Sequence, residues 1–316
     1  MPSPSPLTIA ALAGVAFVAG LIDAIAGGGG LLTVPALLAA GLPPHLALGT
    51  NKGQSVFGSG AAMVRFWRGG LIDPARARVG FPLGLAGSAA GAALVLAIPS
   101  ASLKPIVLVL LSGAALFIGL RRSPAASPKG GGTRPDEGAS PDGGASPDGG
   151  TSRDGRPSPD AGTFPDDGSP SAGTAPATLV AARRHTVPSH MAPNRETTRP
   201  VLAGLIALAI GAYDGFFGPG TGTFLIVAFV ALLGDGLARA SASAKVVNFA
   251  SNLAALGLFA WRGVVVWPVA LPMALGQLCG GWIGAHLAIR RGDALVRRVA
   301  VLSALALAVK LALDLR

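Results

Sequence analysis

The sequence predicts an all-α integral membrane protein built from two homologous repeats. Hydrophobic residues make up 51% of the 316 residues, charged residues only 13%, and the mean hydropathy is +0.57. This composition is typical of chains that cross a bilayer several times. A helix needs roughly 20 residues to span about 30 Å of hydrocarbon. Apolar runs near this length cover residues 7–25, 79–98, 103–120, 201–217, 264–289 and 295–313, with less pure runs at 46–67 and 244–260.

The first apolar run, residues 7–25, is expected to remain in the protein as a membrane helix. No lysine or arginine precedes Lys52, so the run lacks the basic segment that begins a secretory signal peptide. The formal charge of +10 comes from arginines that flank apolar runs and form no single basic face. Membrane topology explains this distribution, and nucleic acid is not expected as a partner.

Missing motifs exclude several kinds of chemistry. Cys279 is the only cysteine, which excludes an internal disulfide, a CxxC redox pair and a cysteine zinc site. The histidines show no metal-ligand spacing, and the sequence has no P-loop, dinucleotide-binding fold or nucleophile elbow. The chain is therefore expected not to be an enzyme and to hold no metal or cofactor.

A polar stretch, residues 121–199, divides the chain. It is dominated by Pro, Gly, Ser and Asp and repeats the hexapeptide ASPDGG, so it cannot bury enough apolar surface to offset the entropy of ordering. We expect a disordered linker between a first transmembrane repeat, residues 1–120, and a second, residues 200–316.

The two hydrophobic halves resemble each other at fixed offsets. A shift of 191 residues matches Asp23 to Asp214 and the first glycine cluster to the second. After a two-residue insertion, a shift of 193 matches Lys52 to Lys245, Gly70 to Gly263, Gly87 to Gly280 and Gly91 to Gly284. An internal duplication explains both offsets, and it is a common plan among transporters.

Each half reads as about four full transmembrane helices and one short apolar piece. The short pieces, residues 31–42 and 223–233, are below the usual spanning length, so each either crosses thinly or turns back as a re-entrant hairpin. Both alternatives stay open at this point.

The arginines predict that the repeats are inverted. In half one the loop after the third segment carries Arg65, Arg68, Arg76 and Arg78. In half two the loop after the fourth segment carries Arg290, Arg291, Arg297 and Arg298. Because positive loops stay in the cytoplasm, matching loops face opposite sides, which places the linker in the cytoplasm and both termini outside. A parallel four-plus-four arrangement is the competing interpretation.

A glycine cluster interrupts each half between apolar segments. The first is GGGGLLTVP, residues 27–35, and the second is GPGTGTF, residues 218–224. Such a break lets the backbone leave helical geometry beside a cavity, and the helix that follows presents its positive end there, which suits an anion. Close helix packing is the alternative role for each glycine, but matching clusters in both halves favour binding.

One lysine follows each break within a membrane-like segment. A lysine at the centre of a membrane helix costs roughly 2.5–3.5 kcal/mol, so Lys52 and Lys245 are expected to attract an anionic substrate. The alternatives are snorkelling to an interface or a permanent salt bridge with Asp23 or Asp214, and these carboxylates serve either charge pairing or proton coupling. The predicted substrate-binding residues are Lys52, Asn51, Thr50, Ser55, Gly28, Gly29, Gly30, Lys245, Asn248, Gly220 and Thr221.

These residues carry a family resemblance. Residues 19–55, AGLIDAIAGGGGLLTVPALLAAGLPPHLALGTNKGQS, resemble the opening signature of the TauE/SafE sulfite exporter family, also called TSUP permeases. Residues 213–225 and 242–256 resemble its second-repeat signatures. The resemblance implies ATP-independent transport of sulfite, sulfoacetate or related anions across a bacterial or archaeal inner membrane. It also implies that Lys52, Asn51, Lys245 and both glycine breaks are substrate-related, whereas the long linker departs from the family pattern.

The expected function is a multi-pass inner-membrane permease for small sulfur-containing anions. The alternatives are an anion channel built from the same groups and a non-transporting membrane scaffold whose linker recruits a partner. The expected partners are a small anion and the lipid bilayer. A second copy of the chain and a linker-binding protein are left open, as are the exact substrate, the direction of transport and the coupling ion.

Overall fold

The computed structural model of the chain describes residues 5–120 and 200–314. Over these residues every regular element is a helix, which confirms the all-α prediction for this part of the chain. The predicted linker, residues 121–199, lies outside the described residues. The helices are α1 Pro6–Ala26, α2 Gly30–Ala39, α3 Pro44–Arg68, α4 Pro74–Ala97, α5 Ser100–Leu120, α6 Pro200–Phe216, α7 Thr221–Leu233, α8 Leu237–Trp261 and α9 Trp267–Asp314.

Glycine and proline mark where the helices begin and end. Pro6, Pro44 and Pro74 occupy the first turn of α1, α3 and α4, where their missing N–H group is not needed. Helix α9 is interrupted at Gly292, whose φ of 59° and ψ of −153° are not helical. The residues of α9 therefore form two helices in succession, as the two apolar runs predict.

Two helices in the described part are apolar and long enough to cross a membrane, Pro6–Ala26 and Pro74–Ala97. Helices α3 and α8 carry many buried polar side chains instead, because they line the interior of the protein. Large apolar side chains also point outward from the bundle, among them Leu94 and Leu275, which are 59% and 69% exposed.

The main helix pairs join the two halves of the chain. Helix α4 packs against α6, with Gly87 and Gly91 facing the carbonyl groups of Leu208 and Ala212. Helix α9 packs against α1 in the same manner, and any Cβ atom on these glycines would collide with the partner backbone. In α9, Gly280 faces the carbonyl of Phe17 and Gly284 faces the carbonyl of Leu21. These two glycines are 193 residues after Gly87 and Gly91, and Phe17 and Leu21 are 191 residues before Leu208 and Ala212.

Helix α2 doubles back beside α1, and α7 doubles back beside α6. Leu37 near the end of α2 packs in one buried cluster with Leu12 and Ala16 from the first half of α1. Leu233 at the end of α7 likewise packs with Ala203 near the start of α6. Each short helix therefore returns toward the end of the bundle from which the preceding helix came.

The turns divide between two ends of the bundle. Leu71 and Ile72, between α3 and α4, pack in one cluster with Ala238 at the start of α8 and with Val296 just after the interruption of α9. In another cluster, Leu42, between α2 and α3, packs with residues that include Val269 at the start of α9. We call the first the basic end, because the four arginines at positions 65–78 and the four at positions 290–298 flank these turns.

Candidate functional site

The two helix breaks meet inside the bundle. Gly27 has a φ of 78°, and a Cβ atom there would collide with the backbone of Gly222 and Thr223. A Cβ atom on Gly30 would lie 3.0 Å from the Cα atom of Pro219. Glycine is needed at Gly27 for both its backbone angle and its lack of a side chain. The first turns of α2 and α7 consequently come together at one point.

A small polar cavity of about 20 Å³ lies at this meeting point. Such a volume holds about one water molecule. Eleven of the thirteen residues singled out from the sequence line it, namely Asp23, Gly28, Gly29, Gly30, Asn51, Lys52, Ser55, Asp214, Gly220, Thr221 and Asn248. The other lining residues are Gly218, Gly222, Asn252 and Gln277.

Lys52 of α3 is paired with a carboxylate from the other half of the chain. Its Nζ atom lies 2.8 Å from Oδ1 of Asp214 and donates to Oδ1 of Asn252 at 3.0 Å. Asp214 also accepts hydrogen bonds from the hydroxyl groups of Thr221 and Ser251. The lysine is only 2% exposed, so this charge is held by its partners and does not reach a surface.

Lys245 of α8 makes the corresponding pair with Asp23. Its Nζ atom lies 2.8 Å from Oδ2 of Asp23, and the lysine side chain is fully buried. The other carboxylate oxygen of Asp23 accepts the backbone N–H of Gly29 at 3.2 Å. Lys245 itself does not line the cavity, whereas its partner Asp23 does.

Asn51 is fixed by two neighbours that occupy its carbonyl oxygen. Oδ1 of Asn51 accepts from Thr33 Oγ1 at 2.6 Å and from Gln54 Nε2 at 2.9 Å. Because the carbonyl oxygen is already used twice, the amide hydrogens are what Asn51 can offer to a ligand.

Thr50 stands apart from the site predicted for it. It is completely buried, does not line the cavity, and its hydroxyl accepts the backbone N–H of Val266 at 3.0 Å. The bond joins α3 to the turn before α9. The position of Thr50 one residue before Asn51 places its side chain on a different face of α3.

Sequence reasoning missed Gln277 and Ser251. Ser251 donates to Asp214, and Gln277 projects from α9 into the cavity lining. Gln277 has a signal in the sequence, since it is a lone amide within the apolar run 264–289, and polar residues in membrane segments tend to be functional. Ser251 has none, because serine is common in apolar helices.

The charges of the site cancel. Two lysines face two aspartates, and each pair joins a helix of one half to a helix of the other. Each buried lysine is therefore neutralised by a carboxylate, and these four residues leave no net charge in the site.

Comparison with known families decides the affiliation. The family model described as "Sulfite exporter TauE/SafE" matches residues 12–311. The chain belongs to this family. The match covers both halves, and with them the breaks and the lysines that line or support the cavity.

Relatives over nearly the whole chain are named as membrane transporters. The probable membrane transporter protein ORF9 of Sinorhizobium sp is 34% identical over 299 residues, which cover 95% of this chain and 90% of the relative. The probable membrane transporter protein YfcA of Escherichia coli strain K12 is 32% identical over 310 residues, covering 98% and 91%. A probable membrane transporter protein of Haemophilus influenzae is 32% identical over 301 residues, covering 95% and 92%. No solved structure matches the chain significantly.

Proposed function

We propose that the chain is a secondary transporter of small anions, sulfite or an organosulfonate, across the bacterial inner membrane. The observation that carries the proposal is the pair of buried lysines, each held by a carboxylate of the opposite half where the two helix breaks meet. The family name and the names of the relatives support transport. The choice of a sulfur oxyanion rests on the family name alone.

The anion binds by taking the place of a carboxylate. Lys52 is the cation that lines the cavity, and the amide hydrogens of Asn51 lie one residue away on α3. When Asp214 or Asp23 gives up its lysine, the buried carboxylate is left uncompensated, so proton uptake follows. Anion entry and proton entry are coupled in this scheme, as in proton–anion symport.

The proposed topology has two inverted repeats, residues 1–120 and 200–316, joined by a cytoplasmic linker. Each repeat contributes one hairpin, α1–α2 or α6–α7, and three crossings. Two matching turns support this topology. The turn after α3 lies at the basic end, whereas the turn after α8, which corresponds to it in the second repeat, packs at the other end. With three crossings in each repeat, both termini face outside and the linker faces the cytoplasm.

Alternating exposure follows from the contacts that close the two ends. At the basic end, Nη1 of Arg76 lies 2.6 Å from Oδ2 of Asp235, and both side chains are buried. The residues at the corresponding offsets, Val269 and Leu42, pack in one apolar cluster at the other end. Movement of one repeat against the other opens the ionic contact at one end or the apolar contact at the other.

The size of the cavity favours a carrier over a channel. A space of about 20 Å³ holds about one water and no sulfite ion. Helices have to move before an anion binds, and a protein that moves for each ion works at carrier rates and not at channel rates.

Uptake of labelled sulfite into proteoliposomes tests the proposal. Wild type is compared with Lys52→Gln and Lys245→Gln, and Arg262→Gln is the matched control, because it removes a cation from an exposed position. We expect saturable uptake in wild type and the control, and loss of uptake in both lysine variants at equal incorporation. Uptake unchanged in both lysine variants would contradict the mechanism.

A further inference from the structure

Two arginines at the basic end share one tryptophan ring. The guanidinium carbon of Arg65 lies 6.0 Å from the centre of the Trp282 ring, and that of Arg68 lies 5.7 Å from it. Cation–π attraction acts over distances of up to about 6 Å. The arginines lie one turn apart on α3 and the tryptophan belongs to α9, so the contact joins two helices that pack together.

The neighbours of these arginines fix their positions without cancelling their charge. Nε of Arg65 donates to Nδ1 of His286 at 3.2 Å, and Nη2 of the arginine lies 2.6 Å from the same atom. Arginine has no acceptor, so Nδ1 accepts and the histidine is neutral. Neither Arg65 nor Arg68 forms an ion pair with a carboxylate of the described residues. We call the four residues Arg65, Arg68, Trp282 and His286 the arginine patch.

The arginine patch has no counterpart in the other repeat. The residues at the offset of 193 positions are Leu258, Trp261, Ala89 and Ala93. The lysines, the aspartates and the glycine breaks, by contrast, occur in both halves, as a site that opens to both sides of the membrane requires. A patch that only one repeat carries therefore serves one side of the membrane and not the transport site.

Exposed apolar side chains continue from the patch toward the middle of the bundle. Val64 precedes Arg68 by one helical turn on α3, and Leu278 precedes Trp282 by one turn on α9. Residues one turn apart share a face of a helix, and both apolar side chains are exposed. Because α3 and the first part of α9 both run toward the basic end, the apolar residues lie deeper in the membrane than the charges. A matching ligand has an anionic head and an apolar body.

We propose that the arginine patch binds an anionic phospholipid, with its phosphate between Arg65 and Arg68 and an acyl chain along Val64 and Leu278. Guanidinium groups match the geometry of phosphate oxygens. Basic pockets between membrane helices on the cytoplasmic side are typical headgroup sites. The cytoplasmic leaflet follows from the proposed topology, whereas the lipid site does not depend on which anion is transported.

Native mass spectrometry of the full chain tests this site. The protein in neutral detergent is offered equal amounts of phosphatidylglycerol and phosphatidylcholine, which differ in net charge. We expect wild type to retain phosphatidylglycerol with a preference of roughly tenfold, because each nearby arginine favours an anionic headgroup. Arg65→Gln combined with Arg68→Gln should lose the preference at an unchanged thermal midpoint in phosphatidylcholine. Arg78→Gln is the control, because it removes an exposed cation at the same end but outside the patch.

A second measurement needs no change of arginine. With Trp67, Trp261 and Trp267 replaced by phenylalanine, Trp282 is the only tryptophan. Phosphatidylglycerol brominated on its acyl chains should then quench the fluorescence of Trp282 by contact. Unlabelled phosphatidylglycerol should relieve the quenching, whereas phosphatidylcholine and inorganic phosphate should not.

Several outcomes would contradict the lipid site. Equal retention of the two lipids by wild type, or a preference that the double arginine variant keeps, removes it. A preference that Arg78→Gln loses to the same extent shows a general effect of charge in place of a site. Relief of quenching by inorganic phosphate assigns the patch to a free anion. Neither experiment contains sulfite, so each of these outcomes leaves the proposed transport function unaffected.

Discussion

At the scale of single residues, the two cavity carboxylates are not equivalent although they occupy matching positions. Asp214 is 5% exposed and accepts from Lys52, Thr221 and Ser251. Asp23 is 19% exposed and accepts from Lys245 and the Gly29 amide. When Lys52 turns to the anion, Asp214 keeps its two hydroxyl donors, Thr221 and Ser251. Asp23 has only the Gly29 amide beside its lysine and is the more exposed of the two, so we expect Asp23 to exchange a proton during transport.

Replacing each aspartate by asparagine should separate these roles. We expect Asp23→Asn to abolish the proton movement that accompanies sulfite uptake. Asp214→Asn should keep that movement and lower the thermal midpoint further, because it removes the charge that pairs with Lys52 and replaces one of two accepting oxygens by a donor. A pH-sensitive dye inside the proteoliposomes, read together with labelled sulfite, measures protons per anion. A wild-type ratio in Asp23→Asn would overturn the assignment.

At the scale of elements, the helix breaks determine where the site lies. Each break ends a long helix and begins a short one, and α2 and α7 return beside α1 and α6. Because the breaks touch, the first turns of α2 and α7 face a common cavity together with Lys52, Asp214 and Asp23. Continuous helices would satisfy more backbone hydrogen bonds, so the breaks are retained for the site that they build.

Gly27→Ala should disrupt this meeting point. The positive φ of Gly27 makes alanine costly by about 1–3 kcal/mol, and the added Cβ atom would collide with Gly222. We expect a lower thermal midpoint and loss of sulfite uptake. Gly14→Ala in the same helix is the control, since nothing lies within 4 Å of the added atom, and it should keep wild-type uptake. Equal behaviour of the two variants would show that the contact between the breaks is unimportant.

At the scale of the whole molecule, the two ends of the bundle are closed by different chemistry. The basic end has the buried Arg76–Asp235 ion pair, and the opposite end has Leu42 and Val269 in an apolar cluster. An ion pair releases its partners into water more readily than an apolar contact, because both charges regain hydration. The basic end also holds the apolar cluster of Leu71 and Ile72, and Arg76 lies 3.7 Å from Asp73 as well, so we expect loss of Arg76 to shift this end toward opening.

Arg76→Gln should open the basic end. In a Cys279→Ser background, Ser243→Cys places a thiol in a small cavity that Arg76 also lines. Labelling of this thiol by an impermeant maleimide from the cytoplasmic side should accelerate by roughly tenfold, which corresponds to a shift of about 1.4 kcal/mol in the opening equilibrium. Arg78→Gln, at an exposed position two residues along, is the control. Equal labelling rates in the two variants would rule out a gate at Arg76.

Much of this protein is readable from local sequence. Apolar runs predict α1, α4, α5 and α6 to within a few residues, and the glycine breaks, the buried charges and their polar neighbours include eleven of the fifteen residues that line the cavity. These features depend on neighbouring residues along the chain, such as the length of an apolar run or a break made by glycine. Thr50 does not line this cavity, because adjacent helical residues point to different faces.

The sequence by itself determined the helical class, the positions of the breaks and the two lysines that cancel the charge of two aspartates. Only the tertiary structure decided that Lys52 pairs with Asp214 and Lys245 with Asp23, residues 162 and 222 positions apart. It also decided that α2 turns back and that Gln277 projects into the cavity. The physical reason is that hydropathy and backbone preference act within a segment, whereas the partner of a buried charge depends on which helices pack together.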